Sequence, residues 1–182
     1  MVWKKNLSKA IIESKFPLIE ISAWTNLDMP KISAMKNEKH PNLTCKEFLV
    51  IKLLLQRDHA QFINELFGPH YFRSVNEAIY KPVLTPIGKI IRTRHQFEIL
   101  PKKELVKTTT ITSSRIDYLI GKDDENIKIE EMTQLELALG EQLGALCDLR
   151  FPNIKLNSEK EYQSRLEILK EYNRRANDRR KG

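Results

Sequence analysis

A chain of 182 residues is long enough for one medium domain or two small helical ones. With 30% charged and 41% hydrophobic residues it reads as globular, and no apolar run approaches the ~18 residues of a membrane-spanning helix. The 31 Lys and Arg against 24 Asp and Glu leave a net charge of +7, which suits a polyanionic partner without requiring one.

The first residues, Met1 to Asn6, carry Lys4 and Lys5 but not the apolar core of a secretion signal, so a cytoplasmic location is expected. Leu7 to Ser14 reads as a first helix. Pro17 stands where a second would begin, a position that tolerates proline. Asn26 sits at a turn and accepts left-handed backbone more easily than most residues. Asp28 is placed to cap a third helix, which Asn37 stops. Thr44 and Glu47 have capping-box spacing ahead of Phe48, Ile51, Leu54 and Leu55. Cys45 opens that helix; with Cys147 it makes only two cysteines, both expected as buried inert thiols. A further helix is expected over Ala60–Phe67, and Gly68, Pro69, Pro82 and Pro86 mark a boundary.

The series then begins again. Ile87 to His95 reads as a helix, Pro101 as the start of the next, Thr112 as an N-cap and Gly121 as a stop. Ile129 to Leu139 keeps Met132, Leu135 and Leu139 on one face and ends at Gly140. Asn157 to Arg180 is expected as one long helix, opened by Ser158 and Glu161 and striped by Tyr162, Leu166, Leu169 and Tyr172. Its basic end is expected to fray.

Placing Glu20 over Glu104, an offset of 84 residues, aligns Ile21 with Leu105, Leu27 with Ile111, Ile32 with Ile116 and Met35 with Leu119. The chain therefore divides into a first unit at 1–67, a linker at 68–83, a second unit at 84–149, and a final helix with basic tail at 150–182.

Residues 84–146 resemble the phage lambda repressor-like helix-turn-helix family, also called the xenobiotic-response-element type. The carrying residues are Ile87-Gly88-Lys89-Ile90-Ile91-Arg92, Leu100-Pro101-Lys102-Lys103-Glu104-Leu105, Ile111 to Ile116, and Gly121-Lys122. Residues 7–55 are similar but more divergent. The family usually has glycine at the turn and alanine after the second-helix leucine; here Asn26 and Thr110, and Ser22 and Val106, stand there. The resemblance implies an all-α fold of two tandem helix-turn-helix domains with a C-terminal helix. It also implies a sequence-specific transcriptional regulator, perhaps better named a repressor, at the bacterial or phage nucleoid.

In such a fold the third helix enters the major groove of duplex DNA and presents its first residues to base edges. By position the second unit presents Thr112, Ser113, Ser114, Arg115 and Tyr118, with Lys102 and Lys122 on phosphates. The first presents Met29, Lys31 and Ser33, with Lys36 and Lys39 behind. Met29 and Pro30 carry no hydrogen-bonding group, which makes the first unit the poorer base reader. The alternative is a non-catalytic protein-interaction module, such as an antitoxin-like partner binder, on the same fold. A homodimer through the final helix fits either reading.

No catalytic activity is expected. His40, His59, His70 and His95 are scattered, with no His-Glu-x-x-His, Cys-x-x-Cys or Gly-x-Ser-x-Gly. The acidic residues 123–125 and 130–131 read as surface charge at a helix start rather than as metal ligands. No cofactor, metal, small-molecule ligand or membrane contact is expected.

Overall fold

The structure is a computed structural model that describes residues 1–77, 102–121 and 124–181. The helix expected over Ile87–His95, Pro101 and Lys122 lie outside the described residues. Among those described the fold is all-α, with eleven helices and no strand: α1 (Val2–Glu13), α2 (Leu18–Thr25), α3 (Met29–Lys36), α4 (Cys45–Leu54), α5 (His59–Phe67), α6 (Arg73–Glu77), α7 (Lys102–Thr108), α8 (Ser113–Gly121), α9 (Ile129–Leu139), α10 (Ala145–Arg150) and α11 (Glu159–Lys181). None of these helices is long and apolar enough to cross a membrane.

Two compact units form. The first comprises residues 1–42, 47–68 and 153–182, and the second 43–46 and 69–152. The final helix, set apart at 150–182 by the sequence reading, thus belongs to the first unit. Helix α6 interrupts the stretch read as a linker and belongs to the second.

In the first unit α1 packs on α3 and α5, and α2 packs on α3 and α11. Leu7, Ile11, Ile21, Ile32 and Met35 are buried, at spacings that keep one face of each helix inward. The Asn6 amide donates to the Glu65 and Leu66 carbonyls at 3.0 and 2.9 Å, satisfying groups at the end of α5 that have no intrahelical partner.

Helix α11 is fastened to α2 at its N-terminal half. Ser158 and Glu161 form the expected reciprocal cap, at 2.8 and 3.4 Å. Tyr162 stacks on Trp24 with ring centroids 4.1 Å apart, and Leu166 packs on Ala23. The Asn157 amide donates to the Ala23 carbonyl at 2.6 Å, and the Arg165 guanidinium to the carbonyls of Ser22 and Asn26 at 3.2 and 3.4 Å. A cation at the carboxyl end of α2 is favoured by the helix dipole. The expected stripe splits. Tyr162 and Leu166 are buried, whereas Tyr172 is 70% exposed. The basic end stays helical to Lys181 rather than fraying. Glu171 pairs with Arg174 and Arg175 at 2.9 and 2.8 Å, three and four residues on, and these partners pull its carboxyl down to about 2.

In the second unit Leu105, Ile111, Ile116, Leu135, Ala138 and Leu139 form the core, with Val75 of α6 against them. Glu136 is buried, and its carboxylate accepts from the backbone N–H groups of Gly144, Leu146 and Cys147 at the start of α10. Burial pushes that carboxyl up, against the pull of the three donors. The two cysteines are buried and free as expected, and they meet: burial and the neighbouring Cys147 push the Cys45 thiol up.

The 84-residue repeat reaches the hydrogen bonds. Thr25 Oγ1 donates to the Ile21 carbonyl and accepts from Leu27 N–H, at 2.6 and 3.3 Å; Thr109 does the same with Leu105 and Ile111, at 2.6 and 3.2 Å. The end of α4 is closed by Gln56 N–H to Leu53 and Arg57 N–H to Lys52, at 3.1 and 3.0 Å. The end of α9 is closed by Gly140 to Leu137 and Glu141 to Glu136, at 3.0 and 2.8 Å. Both are Schellman closures, which need a left-handed residue, and the equivalent Gln56 and Gly140 have φ of 52° and 66°. In the second unit the segments leading into α4 and α9 also pair with each other. Cys45 N–H donates to Ile127 O at 2.8 Å, and Ile129 N–H donates to Leu43 O at 3.0 Å.

Two outcomes are expected. Glycine relieves the left-handed strain that glutamine bears, so Gln56→Gly should raise stability by about 0.5–1 kcal/mol in urea unfolding. Thr25→Val and Thr109→Val should each lower it by about 1–2 kcal/mol, because each removes a donor and an acceptor from a buried turn.

Candidate functional site

The candidate site is the pair of helices joined by a short turn that occurs once in each unit, α2–α3 and α7–α8. Each turn is built by the threonine just described. In the first, Asn26 takes the expected left-handed conformation (φ 60°), and the Ser22 hydroxyl donates to the Leu27 carbonyl at 2.6 Å. In the second, the N–H and hydroxyl of Thr110 both donate to the Gln134 side-chain oxygen, at 2.7 and 3.0 Å. The residues standing where the family has glycine are thus held by side-chain bonds.

Helix α8 begins as expected, with the Thr112 hydroxyl accepting from Arg115 N–H at 3.3 Å. Thr112, Ser113, Ser114 and Tyr118 are exposed on its first turns, as a groove-reading helix requires. Lys102 is the first residue of α7. In the first unit Lys36 and Lys39 are exposed and Met29, Lys31 and Ser33 are half-buried. Asp28 stands at the N-cap of α3 without a side-chain capping bond.

Arg115 is not presented to a ligand in this state. Its Nε and one terminal nitrogen each lie 2.8 Å from a Glu131 oxygen, and the same terminal nitrogen lies 2.8 Å from Asp124. The fork geometry of guanidinium on carboxylate makes this the strongest kind of pair available to arginine. The hydrogen bond to Glu131 holds the Arg115 pKa above its ordinary range. The guanidinium also lies over the Tyr118 ring, 5.3 Å from its centroid. Asp124 and Glu131, read from sequence as solvated surface charge, are the clamp.

The first unit carries the equivalent clamp. Lys31, 84 residues before Arg115, lies 2.9 Å from Glu47, which is 84 residues before Glu131. His40, equivalent to Asp124, lies 3.1 Å from the other oxygen of Glu47. One copy places a carboxylate between two bases; the other places a guanidinium between two carboxylates. The repeat alignment alone paired these positions, and residue-by-residue reading overlooked it.

The outer faces of the two helix pairs differ in kind. In the first unit Ile19, Ala23 and Trp24 of α2 carry α11. By the 84-residue offset the second unit has Lys103, Lys107 and Thr108 at those positions, and Ser113 and Ser114 where the first has Met29 and Pro30. Lys103, Lys107, Ser113 and Ser114 are all exposed. Sequence reading took Lys102 as the phosphate contact and passed over Lys103 and Lys107. The signal that identifies them is their alignment with the apolar residues that hold a helix in the first copy.

Comparison with protein-family models, with curated proteins and with solved structures finds no match for this chain.

Because Arg115 joins α8 to the start of α9, Arg115→Ala should destabilise the second unit. The expected loss is about 2–3 kcal/mol, somewhat below that of a fully buried pair because the side chain keeps 28% exposure. Arg115→Lys should recover less than half of it, having no fork to match Glu131. Chemical denaturation of the three proteins measures both.

Proposed function

We propose that the protein is a non-catalytic, sequence-specific binder of duplex DNA, acting as a transcriptional regulator through its second unit. The observation that carries this reading is the contrast between the two faces. Positions that are apolar and covered by a helix in the first copy are lysines, serines and threonine in the second. Exposed hydroxyls at the start of α8 suit base edges, and Lys103 and Lys107 on α7 suit phosphates. The clamp assigns Arg115 to positioning α8, with base reading left to Thr112, Ser113 and Ser114. Lys31 has the same positioning role in the first unit.

The alternative, a protein-interaction module, draws support from the first unit. There the same helix pair binds a helix, α11, through Tyr162, Leu166 and Leu169. On the proposed reading that unit is a scaffold and does not read bases, so one α8 engages each site.

Selection of bound duplexes from a random pool tests this. The wild type should enrich a motif, and Ser113→Ala with Ser114→Ala should weaken that motif without unfolding the chain. Lys103→Glu with Lys107→Glu should weaken binding to every sequence and make the dependence of log affinity on log salt shallower by about two. Absence of enrichment by folded protein at low salt would overturn the DNA reading and leave the interaction module.

A further inference from the structure

Helix α11 extends well past the helix that holds it. Its 23 residues span roughly 34 Å at ~1.5 Å each, against roughly 12 Å for the eight residues of α2. It starts at the carboxyl end of α2, where Asn157 and Arg165 are fastened, and passes the first turn of α3, where the Asn173 amide lies 4.0 Å from Met29 Sδ. Between α11 and that turn lies an open cleft of about 850 Å³, lined mainly by Leu18, Met29, Pro30, Ile168, Leu169 and Tyr172. Ile168 and Tyr172, one turn apart, are 66% and 70% exposed. A contiguous apolar patch of this kind marks an interaction surface.

The charge order along α11 says what fits. Glu159 and Glu161 stand in its first turn, and Arg174, Arg175 and Arg179 near its other end. Glu161, Arg165, Ile168, Tyr172, Arg175 and Arg179 recur at alternating spacings of four and three, the pattern of a seam between two helices. A second α11 laid parallel sets like charges together. Laid antiparallel about position 170, it sets Ile168 against Tyr172 and Glu161 against Arg179.

We propose that this cleft and helix face receive a second copy of the same chain, with α11 antiparallel to its counterpart and each Tyr172 entering the other copy's cleft. The contact is isologous and closes as a two-fold dimer. It occupies a different surface from α7–α8 and does not depend on the DNA reading.

Sedimentation velocity of the full chain over a range of concentrations tests it, with circular dichroism confirming that each variant is folded. The wild type should pass from monomer to dimer. Tyr172→Glu and Ile168→Glu, at exposed positions, should each weaken the dimer by about tenfold or more while leaving helicity unchanged. Arg179→Glu should weaken it less, with Glu161→Arg in the same chain restoring part of the loss. A wild type that stays monomeric at hundreds of micromolar would overturn the proposal, as would a dimer indifferent to Tyr172→Glu. A monomer whose Tyr172→Glu variant loses DNA affinity would also overturn it, and would assign the face to nucleic acid.

Discussion

Each unit depends on how the third residue of its second turn-helix is tied to the helix that follows. Arg115 on Glu131 and Lys31 on Glu47 are the same bond in two chemical forms. The bond fixes the exposed helix against the core at the point where a ligand would load it. In both copies the carboxylate sits in the first turn of the following helix, where the dipole already favours negative charge. Glu131 also accepts from Lys128 N–H at 3.2 Å, so one side chain caps its own helix and anchors its neighbour. With side-chain exposure of 7% at Glu47 and 14% at Glu131, neither carboxylate is well solvated, and each relies on its partner.

That arrangement explains which parts of the molecule were legible in the sequence. Period, caps and stops located the helices because they are local physics: Ile129 to Leu139 was placed to the residue, and the Ser158–Glu161 cap formed as its spacing implied. The apolar matches at Ile21, Leu27, Ile32 and Met35 located the repeat, because a buried face tolerates few alternatives. The role of Arg115 was not legible. A basic residue on a presumed reading helix looks like a ligand contact until its partners are known, and Glu131 and Asp124 lie 16 and 9 residues away in sequence. The assignment of α11 to the first unit was equally hidden. Its apolar stripe says that it packs, but nothing local says against which copy.

The two copies share a skeleton and differ in what they expose. The threonine turn, the Schellman closure and the clamp are common to both. Ile19, Ala23 and Trp24 against Lys103, Lys107 and Thr108 are not. Duplication with this division lets one helix pair serve as a support for protein while the other keeps a wet, cationic face. The pairing of Leu43–Cys45 with Ile127–Ile129 belongs to the second unit, although the chain enters α4 of the first directly afterwards.

The fastening of α11 bears on how the chain is made. During synthesis α1 to α5 emerge long before α11, with all of α6 to α10 translated in between. Through that interval Ile19, Ala23 and Trp24 have no α11 to cover them. The first unit therefore spends its early life with an apolar face open to chaperones, or to an α11 supplied by another chain. Polysomes, which hold many nascent copies close together, would offer that second α11 first, so completed chains could exchange their last helix before each had closed on its own.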